Sequence, residues 1–196
     1  MPAAGPRPAR TRRGAPTLLT RTAPVVTLAA MQSGIGRLHL EAACSPAVGD
    51  LRLAGAYRLT SGASSVVLAA DGLNHAPPRS TRPLITAQHG RYEELVLDLV
   101  KVRDLDRLVV LAFSDSGASL NWGGTLLVTT FGGAQVKIAL DREAAPGVLV
   151  ALSVYRVNGE LVLRSEAELV AGTVRDACLA YGFEDVAWLD PRTPIV

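Results

Sequence analysis

Few side chains in this 196-residue sequence are of types that do covalent chemistry. Ser114, Asp115 and Ser116 stand together, and His89 lies upstream. On paper they make a serine–histidine–aspartate set, in which the imidazole takes the hydroxyl proton during attack. Asp104 and Asp106 flank Leu105, a spacing that suits paired carboxylates for acid–base work or a metal, although the charged turn around them reads as solvated. His39, His75 and His89 are the three histidines, too few to suggest a zinc site. His39 shares a period-two face with Arg37 and Glu41, which points it to solvent or to a sheet edge. Cys44 and Cys178 are widely separated and make no CxxC pair, so they read as reduced, partly buried thiols of a cytoplasmic protein. GxSxG, HExxH and GxxxxGK[ST] are absent, and Gly123-Gly124 and Gly132-Gly133 fall where hairpins turn. No catalytic constellation stands out.

The elements that would position these residues are strands. Runs at Glu93–Val100, Arg107–Phe113, Gly124–Thr130, Gln135–Leu140, Val148–Val157 and Glu160–Val170 are rich in Val, Leu and Thr, with Gly, Asn and Asp between them. Asn158-Gly159 is the strongest turn signal, because a two-residue type I′ turn needs positive φ at both central positions. This stretch predicts a meandering antiparallel sheet. Upstream, Pro24–Leu28 and Arg37–Ala42 read as strands, and Asp50–Thr60 with Ser65–Ala69 as a hairpin turned at Ser61-Gly62-Ala63. Residues 73–90 read as one long connection carrying His75, Pro77-Pro78, Pro83 and His89, and connections of that length usually carry function. A hydrolase site, if there were one, would belong in 73–92, with His89 or Glu94 essential to turnover.

Thr173-Val174-Arg175-Asp176 predicts a capping box opening a short helix, closed by Gly182. Val174, Ala177, Cys178 and Tyr181 share its apolar face, so Cys178 should be packed. The tail around Trp188 and Leu189 should dock back on the body to bury both. The fold class is therefore all-β, an antiparallel β-sandwich with one short C-terminal helix.

Residues 1–23 are rich in Pro, Ala, Arg, Gly and Thr without hydrophobic periodicity, which predicts a disordered basic arm ahead of one domain over 24–196. Arg7, Arg10, Arg12, Arg13, Arg21 and Arg37 precede the first acidic residue, Glu41. Removing those six from the 20 basic residues leaves 14 against 18 acidic ones, so the net +2 of the whole hides a remainder at −4. The body carries no basic face for specific nucleic-acid binding, although the arm could touch nucleic acid or an anionic membrane surface weakly. Aromatic residues make up 5% of the chain, a shortage for stacking on bases or sugars, which weighs against a carbohydrate- or nucleic-acid-binding module. No apolar run reaches the roughly 20 residues of a membrane span, and a soluble protein is expected.

The order of these segments resembles the TerD-like tellurium-resistance family over roughly residues 24–185. Pro24–Leu28 is similar to the family's opening strand, and Asp50–Leu59 to its aspartate-led, small-residue strand. Leu97-Asp98-Leu99-Val100-Lys101-Val102 resembles its LDLSKV segment, Arg107–Ala112 its following strand, and Val154–Arg164 its YRHNGEWKFRA hairpin. The resemblance implies a β-sandwich of a bacterial stress-response system that binds other proteins of that system, with calcium held by acidic residues between strands. It places the candidate metal ligands at Asp50, Asp71, Glu93 and Glu94. Two departures point to a degenerate calcium site. The family's D-x-D motif falls on Asp50-Leu51-Arg52, which puts a cation where the second carboxylate belongs. The family's second acidic loop falls on Ile85–Tyr92, with only Glu93 and Glu94 after it, whereas Ca²⁺ takes six to eight oxygen ligands.

Overall fold

Two of the strand runs, Leu108–Phe113 and Val148–Leu152, are apolar at every position rather than at alternate ones. A strand of that kind is stable only where both faces of its sheet are covered. The computed structural model describes residues 9–11, 16–43, 50–90, 92–119, 124–140 and 145–196, and it supplies that double cover.

The strands in chain order begin with β1 (Ala9–Arg10), β2 (Thr17–Leu19), β3 (Val25–Thr27), β4 (Arg37–Ala43) and β5 (Leu51–Leu59). β6 (Ser64–Leu68), β7 (His75–Ala76), β8 (Ile85–His89), β9 (Glu93–Asp98) and β10 (Leu105–Ser114) follow. β11 (Thr125–Thr130), β12 (Gln135–Ala139), β13 (Val148–Val157) and β14 (Glu160–Val170) complete them. A five-residue helix, α1 (Ala30–Gly34), precedes β4, and α2 (Val174–Ala180) follows β14. Sheet I runs β1-β3-β14-β13-β10-β5-β6, and sheet II runs β2-β12-β11-β4-β9-β8-β7. They pack face to face as an all-β sandwich, antiparallel except at two edges. Leucines and valines of both sheets, among them Leu38, Leu40, Leu53, Leu95, Leu97, Leu108, Val128 and Leu163, fill the space between them.

A second apolar layer lies on the other side of sheet I. Ala54, Ala56, Val109, Leu111, Phe113 and Val150 point outward from it and are buried under Val174, Ala177, Cys178, Phe183 and Val186. This explains the unbroken apolar runs, since β10 and β13 are the central strands of the doubly covered sheet. Sheet II has no such cover among the described residues, and β11 and β12 alternate buried with part-exposed or exposed positions.

The expected single meander is corrected. β5–β6, β8–β9, β11–β12 and β13–β14 are hairpins, but the first and last belong to sheet I and the middle two to sheet II. A 3₁₀ turn at Leu99–Asp104 carries the chain from β9 in sheet II to β10 in the middle of sheet I. Nothing local distinguishes that crossing from a hairpin; the long-range burial of β10 decides it.

The expected disordered arm is corrected for its described part. β1 adds parallel to β3, and β2 adds parallel to β12, so the arm closes one edge of each sheet. Leu19 is buried in the core, and Arg10 reaches Glu160 at 3.0 Å. Backbone pairing at a sheet edge has no hydrophobic period to announce it. The long connection is also divided: β7 and β8 occupy part of 73–90, with Ile85 and Ala87 turned inward. The Asn158-Gly159 turn has positive φ at both residues, 52° and 85°.

Candidate functional site

The four candidate metal carboxylates do not converge; each is engaged by a different part of the chain. Asp50 stands immediately before β5, opposite the end of β10. Its carboxylate accepts hydrogen bonds from the hydroxyls of Ser114 and Ser116 and from the Ser116 backbone N–H, the last at 2.8 Å. Partial burial pushes its pKa up, but these donors and the nearby Arg52 outweigh that and hold it below the usual carboxylate value.

Asp71 closes a 3₁₀ turn after β6 and receives Arg192 of the C-terminal tail through two nitrogens, Nε at 2.8 Å and Nη2 at 2.5 Å. The third nitrogen of the same guanidinium lies 2.6 Å from Asp115 Oδ1, and Arg52 lies 3.0 Å from Asp115 Oδ2. One planar fork thus bridges two carboxylates, the geometry for which arginine is suited. The bonds to Asp71, which outweigh the partial burial, raise the Arg192 pKa further. Arg192 and Asp115 were not among the candidates for this role. The only sequence signal for Arg192 is its place in Pro191-Arg192-Thr193-Pro194, where two prolines limit the wandering of an exposed arginine.

Glu93 is only 5% exposed and points from β9 across the sandwich. Its Oε2 accepts the Leu53 backbone N–H at 3.0 Å, and its Oε1 is bonded to His89 Nδ1. β6 pairs with β5 only as far as Ala54, so the Leu53 N–H lies beyond the end of that ladder. Glu93 takes it instead, a cross-sheet clasp that satisfies a buried donor. Glu94 points the other way, onto the outer face of sheet II, where His39 Nδ1 meets its Oε1 at 2.6 Å. Among the described residues no group of three or more His, Cys, Asp and Glu side chains is arranged to hold a metal.

The serine–histidine–aspartate set is not assembled. Ser114 and Ser116 face Asp50, Asp115 faces two arginines, and His89 is on the other sheet with Glu93. Asp104 and Asp106 are exposed in the turn before and at the start of β10. Cys178 is fully buried against sheet I, and burial pushes its thiol up to about 12, so it is packed and not nucleophilic. Cys44 and Trp122 lie outside the described residues.

The C-terminal segment that carries Arg192 is anchored along its length. Thr173 and Asp176 form the expected capping box, with the Thr173 N–H donating to Asp176 Oδ2 at 2.8 Å. Gly182 takes φ 74°, and its carbonyl accepts from Arg58 at 2.7 Å and Arg107 at 3.5 Å. Those guanidiniums stack over Phe183, at 5.7 Å and 4.6 Å from the ring centroid. Trp188 packs against the outer layer, but the expected burial of Leu189 is not found; it is 74% exposed. Its backbone N–H bonds to Thr193 within a turn that holds Arg192, and its side chain points away.

Two clefts open on sheet II and its edge. One of about 530 Å³ is bounded by β4, β8, β9 and the 77–84 loop, and one of about 320 Å³ by Glu41, Gln88, His89, Tyr92 and Glu94. Among the described residues no helix is long and apolar enough to cross a membrane.

No protein-family model matches the chain, and no curated protein matches it. Among solved structures it is similar to one described as the crystal structure of the unknown function protein SAV2460, at 16% identity and a TM-score of 0.47. That match covers 70% of this chain and 94% of the other.

Proposed function

We propose that the protein is a non-catalytic binding module of the TerD-like stress-response type that its sequence resembles. It would act in the cytoplasm by docking other proteins of the same system, and its calcium site has been replaced by an internal ion-pair bridge. The observation that carries this reading is Arg192 lying across Asp71 and Asp115, beside an Arg52 that stands where a second carboxylate would be expected. A guanidinium held in this way neutralises the acidic end without a metal, and it ties the C-terminal segment over sheet I. With sheet I covered, the outer face of sheet II is the broad surface left for a partner.

Calorimetric titration of the purified protein with calcium tests this reading. The expected result is no saturable heat up to millimolar calcium. A micromolar site that disappears in Asp50→Asn or Asp71→Asn would overturn it and restore a metal module.

A further inference from the structure

We propose that the 530 Å³ cleft between the 77–84 loop and sheet II is a binding site for a phosphate-type anion attached to a small apolar body. Three cations converge there from three separate elements. Arg37 comes from the start of β4, Arg82 from the loop and Lys101 from the 3₁₀ turn after β9. Asp98 is the one carboxylate lining the cleft, so the lining side chains carry a net +2. Asp98 lies opposite Arg37 in the β4–β9 register, but no ion pair joins them, and its Oδ1 accepts the Val100 backbone N–H at 3.1 Å.

The side chains of Arg37 and Arg82 have no hydrogen-bond or ion-pair partner among the described residues. Among the other described arginines, Arg10, Arg52, Arg58, Arg164 and Arg192 are each matched to an acid, whereas Arg21, Arg79, Arg103 and Arg175, which do not line the cleft, are not. Lys101 Nζ donates to the Arg82 backbone carbonyl, which ties the ammonium to the loop at the rim of the cleft. A phosphate-type anion entering the cleft would gain charge-assisted hydrogen bonds from these cations.

The rest of the lining suits the same ligand. The Thr81 and Thr86 hydroxyls and the Gln88 amide supply neutral donors, and Leu84, Val96 and Val100 supply an apolar wall. The volume falls within the range of small-molecule sites, about 300–1,000 Å³. The loop is closed at its base by Leu84 N–H to the Ala76 carbonyl at 2.7 Å, and Asp98 N–H to the Leu84 carbonyl at 2.8 Å ties it to the end of β9. With Pro77, Pro78 and Pro83 in the loop, little ordering entropy remains to be lost on binding. This site lies apart from the Arg192 bridge and does not depend on whether that end takes a metal.

The same phosphate chemistry could come from a free phosphomonoester or from a lipid headgroup, and two arms separate the sources. Phenyl phosphate and inorganic phosphate are titrated into the full chain at low salt, and flotation is measured with phosphatidylcholine vesicles with and without phosphatidate. Saturable binding of phenyl phosphate, tighter than inorganic phosphate, supports the site with a soluble ligand. Phosphatidate-dependent flotation supports it with a lipid ligand. In either case Arg37→Ala/Arg82→Ala should weaken binding by about tenfold or more, while Lys137→Ala, an exposed cation outside the cleft, should leave it unchanged. Melting curves confirm that both variants are folded. Failure of every probe to bind, or binding that the double variant retains, would overturn the proposal.

Discussion

The two sheets contain seven strands each, yet their outer faces have opposite fates. Sheet I is covered by its own C-terminal segment, with Phe183 and Cys178 fully buried against it and two arginines stacked on Phe183. Sheet II turns Arg37, His39, Glu41, Glu94, Thr125 and Thr129 outward, without such a cover among the described residues. The difference shows in the residue patterns: unbroken apolar runs in β10 and β13, strict alternation in β11. It also divides the labour, since the covered face holds the molecule together and the uncovered one carries the cleft lined by Arg37, Arg82 and Lys101. Charge follows the same division. At the edge of sheet I the acids Asp71 and Asp115 are matched to Arg192, whereas on sheet II cations are left unmatched around a cleft.

Breaking the cover should have the largest effect. Phe183→Ala removes a fully buried ring from the outer layer of sheet I and should cost about 3–5 kcal/mol in urea unfolding. The matched change Leu127→Ala, on the uncovered face, should cost less than about 1 kcal/mol. Equal losses would mean that the two faces are not different. Next is the link between the sheets. Glu93→Ala leaves the Leu53 N–H buried without its acceptor and should cost about 1–3 kcal/mol, whereas Glu94→Ala on the outer face should cost much less.

A smaller effect concerns acid. Hydrogen bonds from Ser114 and Ser116 hold Asp50 below its usual value, so its contribution to stability is present above the unfolded-state value of 3.8 and is lost as pH falls through the lower folded-state value. Asp50→Asn should therefore lower stability near neutrality and flatten the loss below about pH 4; a parallel shift of the whole pH curve would remove Asp50 from the acid response. The smallest effect is expected at the arm. Arg10→Ala breaks an exposed pair with Glu160 and should change stability by no more than about 0.5 kcal/mol, which thermal unfolding can bound.

Legibility from sequence followed the range of the interactions. The β13–β14 hairpin is visible because Asn158-Gly159 sets its turn locally, and α2 because Thr173 and Asp176 cap it within one turn. The double cover of β10 is hinted at by its unbroken run, but the partner that covers it, 70 residues downstream, has no local trace. β1 and β2 pair through backbone groups, so no side-chain pattern marks them. The departure at Asp50-Leu51-Arg52 is visible in the sequence because it is local, whereas the partners that engage Asp50, Asp71, Glu93 and Glu94 come from distant strands and the tail. That a guanidinium from the tail bridges Asp71 and Asp115 depends on a chain reversal after α2 that residue spacing does not encode.

Hydrogen exchange on the intact chain, followed by mass spectrometry with and without calcium, tests the central claim most directly. The account predicts slowest exchange in β10 and β13, faster exchange in β11 and β12, and no change on adding calcium in peptides covering Asp50, Asp71 or Asp115. Calcium-dependent protection in those three peptides, with release of the tail around Arg192, would contradict it.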